Sequence, residues 1–107
     1  MSALKDNKLR ELIRELAAEY FSRVSNSYNS LITVTAVETF SRGSKARILV
    51  TVMPVAQEEA ALSFLHRQLG EFRGFVMERA RLMRVPFFEV AIDRGEKNRQ
   101  RLDEISG

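Results

Sequence analysis

Between residues 67 and 84 stand five arginines, Arg67, Arg73, Arg79, Arg81 and Arg84, against two glutamates, Glu71 and Glu78. Gly70 lies near the start of the run, where two helical patterns meet. Guanidinium groups at that density are chemistry for holding anions, since their planar donor forks match phosphate oxygens. A helix–Gly–helix corner would add backbone N–H groups and the positive end of a helix dipole. Nucleic-acid phosphate is the natural counterpart, although a solvated helix face accounts for the same charges. Little else in the sequence suits catalysis. His66 is the one histidine and cysteine is absent, so neither a thiolate site nor a histidine cluster is available within the chain. The carboxylate pairs Glu58-Glu59 and Asp103-Glu104 stand on a helix start and a tail, with no acid–base constellation around them. No catalytic residue, metal or cofactor is expected.

The elements that must position these arginines follow from composition and periodicity. A chain of 107 residues with 45% apolar content predicts one domain with a core of its own. The absence of cysteine fits a reducing compartment. Net charge is +3 and the pI about 9.7. No apolar window approaches the ~20 residues of a membrane span, and the start Met1-Ser2-Ala3-Leu4-Lys5 lacks the apolar run of a secretory signal. A cytoplasmic monomer is expected, with a core over residues 6–93 and a charged tail over 94–107.

Leu9, Leu12, Ile13, Leu16, Ala17, Tyr20, Phe21 and Val24 recur at three- and four-residue steps and predict a helix over residues 6–24, capped by Asp6. The Ser/Asn-rich stretch 25–30 reads as a loop. Residues 31–40 and 45–53 are rich in β-branched side chains and alternate, with Ile32, Val34 and Ala36 on one face of the first run and Ala46, Ile48, Val50 and Val52 on one face of the second. Residues 41–44 form a turn of hairpin length, making these strands antiparallel neighbours. A second helix is predicted over 57–69 and a third over 71–82, the latter burying Phe72, Phe75, Val76 and Met83. Arg79 falls inside that apolar arc, so either the helix unwinds before it or its stem packs and its head reaches water. Arg73, Arg81 and Arg84 share an arc of about 80° on such a helix. Pro86 ends it, and residues 87–92 form a third strand. His66 reads as a helix-end histidine. Phe64, Phe72, Phe75, Phe87 and Phe88 sit at core spacing, with Phe87 and Phe40 at strand ends as exceptions that could stack on a base.

The order α-β-β-α-α-β, with a helix–Gly–helix corner before the last strand, resembles the type II KH domain, an α+β nucleic-acid-binding fold. The Gly-x-x-Gly grip of KH domains is missing here, because three residues separate Gly70 from Gly74. Over residues 9–105 the sequence resembles ribosome-binding factor A, a bacterial small-subunit assembly factor with a KH-like fold and an Ala-x-Gly kink. Leu9-Arg10-Glu11-Leu12-Ile13-Arg14-Glu15-Leu16 is similar to that family's first helix. Leu31-Ile32-Thr33-Val34-Thr35-Ala36-Val37-Glu38 and Ser44-Lys45-Ala46-Arg47-Ile48-Leu49-Val50-Thr51-Val52 are similar to its first two strands. Gly70, Arg73, Arg81, Pro86, Asp93 and the ending Arg101-Leu102-Asp103-Glu104-Ile105 follow in step. Gln68-Leu69-Gly70 departs from Ala-x-Gly, Met83 stands where a second arginine is usual, and residues 25–30 replace an Asp-Pro-Arg segment.

The resemblance implies a three-stranded sheet with helices on one face and a kink at Gly70. It also implies a non-catalytic factor that binds the small ribosomal subunit through 16S rRNA, assists late maturation and 5′-end processing, and matters in the cold. RNA contacts are then expected at Arg67, Gly70, Arg73, Arg81 and Arg84, with Arg42, Lys45 and Arg47 on the hairpin as secondary contacts. Lys5, Lys8, Arg10 and Arg14 would extend this surface or form a wet helix face. A general KH-like module for single-stranded RNA or DNA, and a protein–protein adaptor on the same fold, stay open beside this reading.

Overall fold

The computed structural model describes residues 2–25 and 30–96, with side chains from residue 7 onward. Most of the Ser/Asn loop, the Asp6 and Lys5 side chains and the expected ending at residues 101–105 lie outside the described residues. Helix α1 (Ser2–Val24) begins at Ser2 rather than at Asp6, so Asp6 lies within the helix and is not its cap. Ile13, Leu16, Ala17, Tyr20 and Phe21 recur at helical steps and are all buried.

Strand β1 (Leu31–Phe40) pairs antiparallel with β2 (Lys45–Met53) through the turn Ser41–Gly43. All three turn residues have positive φ, which only Gly43, at 84°, adopts freely. A bulge interrupts the pairing: Val34 faces Val50 and Ala36 faces Leu49, leaving Thr35 as the extra residue. The expected alternation therefore holds only as far as Val34. Beyond the bulge Val37 is the buried residue, and Ala36 moves to the outer face beside Leu49.

Both expected segments around Gly70 are helical, so the expected order of elements stands, but they run on as one helix. Helix α2 (Glu58–Arg79) passes through Gly70 and Gly74 without a break, and neither glycine has positive φ. Gly70 thus does not divide two helices, and the amides that follow it belong to the interior of one. The glycine penalty of about 1 kcal/mol is small beside the burial of Ala61, Leu65, Phe72 and Val76 on the two sides of it. The helix also stops early. Ala80 is extended, and its N–H closes the last turn on the Val76 carbonyl at 2.8 Å. Residues 80–86 are a loop, so the expected helix to residue 82 and its arginine stripe are replaced by irregular chain. Met83, expected in the core, is fully exposed because helical periodicity no longer applies to it.

Strand β3 (Phe87–Ile92) returns parallel to β2, giving the order β1-β2-β3. Helix α1 packs mainly over β1 and α2 over β3. Between them and the sheet lie Ile32, Val37, Ala46, Ile48, Val50, Val52, Val90 and Ile92. Aromatic rings join the layers: Phe72 stands 5.4 Å from Phe21, 5.6 Å from Tyr20 and 4.9 Å from Phe88, centroid to centroid. This is the α+β, three-stranded, helices-on-one-face arrangement that the sequence implies.

Candidate nucleic-acid interface

Loop 80–86 has to carry the chain from the end of α2 back to the start of β3, and Arg73 holds it there. The guanidinium of Arg73 donates to the carbonyls of Val85, at 3.0 Å, and of Pro86. It also lies 5.1 Å from the centre of the Phe87 ring. Arg73 is half-buried and internally engaged, so its first task is to fix the loop rather than to meet a ligand. Beneath the loop runs a groove of about 520 Å³ lined by Arg73, Met77, Ala80, Arg81, Leu82, Met83, Arg84 and Val85. Three arginines border it, and no carboxylate does. Arg81 and Arg84 are exposed, with no hydrogen-bond or ion-pair partner among the described residues. They meet Arg73 at this groove through the loop, not through the helical arc predicted for them.

The hairpin meets the same end of the molecule. Phe87 N–H donates to the Ser44 carbonyl at 2.9 Å, placing the turn that bears Arg42 beside the end of the loop. In the register Phe40–Lys45–Phe87, exposed Lys45 points to the outer face of the sheet between two rings. One row further along, Glu38, Arg47 and Glu89 stand side by side. Arg47 reaches Glu89 at 3.1 Å and Glu38 at 3.4 Å, and its guanidinium lies 4.7 Å from the centre of the Phe40 ring. Of the three hairpin cations expected to contact RNA, Arg47 is therefore held by two carboxylates. Arg42 and Lys45 are not.

Arg67 and Gly70 lie away from the groove on the outward side of α2. With Gly74 and Met77 they form an exposed strip within about 80° of arc that leads toward the groove. A Cβ at Gly70 or Gly74 would meet nothing within 4 Å. Neither glycine is required by packing, and the helix backbone is bare along this strip. His66 is exposed on the same helix beside Glu59, Ala60, Leu62 and Ser63, and no group of metal-ligating side chains occurs among the described residues. Arg79 resolves as a helix-end cation. It pairs with Glu19 at 2.9 Å, and its guanidinium lies 4.6 Å from the centre of the Phe75 ring.

Sequence reasoning missed the exposed methionines Met77 and Met83, at 60% and 107%. The signal for Met83 was Pro86 close behind it, which restricts the residue before it and shortens the helix. It also missed the purpose of Gln68, which accepts a hydrogen bond from the Tyr20 hydroxyl at 3.1 Å and ties α1 to α2. Burial, reinforced by the nearby Glu71 carboxylate, raises the Tyr20 pKa above the usual phenol value.

No helix among the described residues is long and apolar enough to cross a membrane. No curated protein matches the chain at a significant level. Among solved structures, the fold superposes on the crystal structure of ribosome-binding factor A from Thermus thermophilus with a TM-score of 0.73 and 25% identity, covering 83% of this chain and 97% of that one. A Thermotoga maritima protein provisionally described as a ribosome binding factor A, solved by NMR, superposes with a TM-score of 0.58 at 19% identity and 83% coverage of each chain. The family model for ribosome-binding factor A matches residues 5–106, taking in the sheet, both helices and the arginine-lined loop. With nearly the whole length matched, the chain belongs to the ribosome-binding factor A family.

Proposed function

We propose that this protein is a non-catalytic assembly factor that binds the small (30S) ribosomal subunit through 16S rRNA. It acts in the cytoplasm during late maturation and processing of the 5′ end of precursor 16S rRNA, with a role in cold adaptation. The observation that carries this reading is the groove at the end of α2, bordered by three arginines and no acid, in a chain of the ribosome-binding factor A family. Arg81 and Arg84 contact phosphates, Arg73 holds their loop in shape, and Arg42 and Lys45 extend the basic surface around the turn. Arg67 and the bare backbone at Gly70 and Gly74 allow close approach along α2. Arg47, already paired with Glu38 and Glu89, contributes least.

The test is co-sedimentation with free small subunits, whole ribosomes and short RNAs across a salt series, for the wild type and for Arg81→Ala combined with Arg84→Ala. Salt-sensitive binding to the free small subunit is expected. The double variant should lower the salt-dependence slope by roughly one and a half units. Unchanged binding by a folded double variant would remove the groove from the mechanism. Wild-type binding to short RNAs alone would mark a general KH-like module, and no binding at low salt would return the arginines to the role of a solvated face.

A further inference from the structure

The outer face of the sheet ends, beside the arginine groove, in a row that the core does not need. Phe40, Lys45 and Phe87 are register partners on three adjacent strands. Their neighbours Thr39, Ala46 and Phe88 face the helices: Arg10 donates to Thr39 Oγ1 at 3.4 Å, Ala46 is fully buried, and the Phe88 ring packs on Phe72. Phe40, Lys45 and Phe87 therefore all project outward, where Phe87 is 69% and Phe40 38% exposed. With strands spaced a little under 5 Å apart, the two rings stand about 10 Å from each other across the lysine. Each ring has an arginine beside it, Arg73 at Phe87 and Arg47 at Phe40.

We propose that this row is a stacking platform for unpaired bases of a single-stranded RNA segment, with Phe87 as its principal ring and Lys45 taking the intervening phosphate. The inference rests on the reading of the neighbouring groove as an RNA site and adds what is recognised there: splayed bases rather than backbone alone. Three features favour RNA over a protein surface. The rings are separated by a cation instead of merging into one apolar patch. Lys45 and Arg42 have no acidic partner among the described residues, while the nearest acids, Glu38 and Glu89, are already engaged by Arg47. The platform is also continuous with the groove, because Arg73 both borders the groove and lies against Phe87. A strand leaving Arg84 would meet Phe87 next. Aromatic stacking of this kind tolerates any base, so the platform selects single strands over duplex rather than one sequence over another.

The experiment compares the full chain with Phe87→Leu, Phe87→Tyr and the Arg81→Ala, Arg84→Ala double variant. The probes are a short single-stranded RNA, the same RNA with abasic sites, and free small subunits. The platform predicts that Phe87→Leu weakens the intact RNA about tenfold to a hundredfold, leaves the abasic RNA unaffected, and is rescued by Phe87→Tyr. Thermal unfolding should be unchanged, since the ring lies outside the core. Equal affinity of wild type and Phe87→Leu for intact RNA overturns the platform. If the double variant still weakens both RNAs in that case, the groove reading survives. Loss of subunit binding by Phe87→Leu with no change on RNA would mark a protein contact and also overturn it. A Phe87 effect without any effect of the double variant keeps the platform and removes the groove.

Discussion

The arginines of strand β2 and of loop 80–86 share a residue type and little else. At Arg47, on the central strand, the register places a glutamate on each side and a ring within reach, so the cation is bonded within the fold. At Arg81 and Arg84, on the loop that leads into β3, no register supplies a neighbour, and the side chains face water around a groove without acids. Arg73 stands between these cases. It belongs to a helix, but it spends its donors on the loop's own carbonyls. Here the strand register supplies Arg47 with carboxylate partners, and the irregular loop leaves Arg81 and Arg84 without any among the described residues.

The sharpest way to break this contrast is Arg73→Ala. Removing a charged donor from two partly buried carbonyls should cost about 2–3 kcal/mol, measured by urea unfolding. Arg81→Ala, by contrast, should change stability by less than about 0.5 kcal/mol. Equal effects would show that Arg73 does not organise the loop. Next in size is Gly70→Ala, in a helix with open space at that position. It should stabilise the protein by about 1 kcal/mol and weaken subunit binding, whereas unchanged binding would place the RNA elsewhere on α2.

Tyr20→Phe removes the bond to Gln68 and should cost about 1 kcal/mol at neutral pH. Because the folded-state pKa of Tyr20 is raised, its contribution is complete below the ordinary phenol pKa and is lost as pH rises toward the folded value. Wild type should therefore lose stability in alkali more steeply than Tyr20→Phe in a pH series of thermal melts. The smallest effect is expected for Arg47→Ala. Partly exposed ion pairs are worth under about 1 kcal/mol, and salt titration of its unfolding curve should show the loss shrinking as screening rises.

The strands were legible because β-branched alternation and a short polar turn leave few alternatives, and β1, β2 and β3 run over the residues expected of them. The bulge was not legible, since Thr35 carries no mark that distinguishes it from Thr33. The break at Gly70 was over-read. Local propensity pointed to a corner, but Leu65 and Phe72 bury completely on either side of it and hold one helix through the glycine. The continuous helix leaves no helix N-terminus at Gly70, and Arg81 and Arg84 stand on the loop and not on a helical stripe. That Arg81 and Arg84 are exposed cations was readable from charge alone. The inward engagement of Arg73 and Arg47 was not, because it depends on a loop path and a strand register that exist only in three dimensions.

Loop 80–86 is held at one end by the closing amide of Ala80 and at the other by Arg73. Ordering a free backbone costs roughly 1–2 kcal/mol per residue in lost conformational entropy. A loop fixed in this way has met most of that cost during folding, before any partner arrives. What remains for binding is the freezing of a few long side chains. On the proposed function, the energy of each phosphate contact would go into holding the partner and not into shaping the loop that makes it.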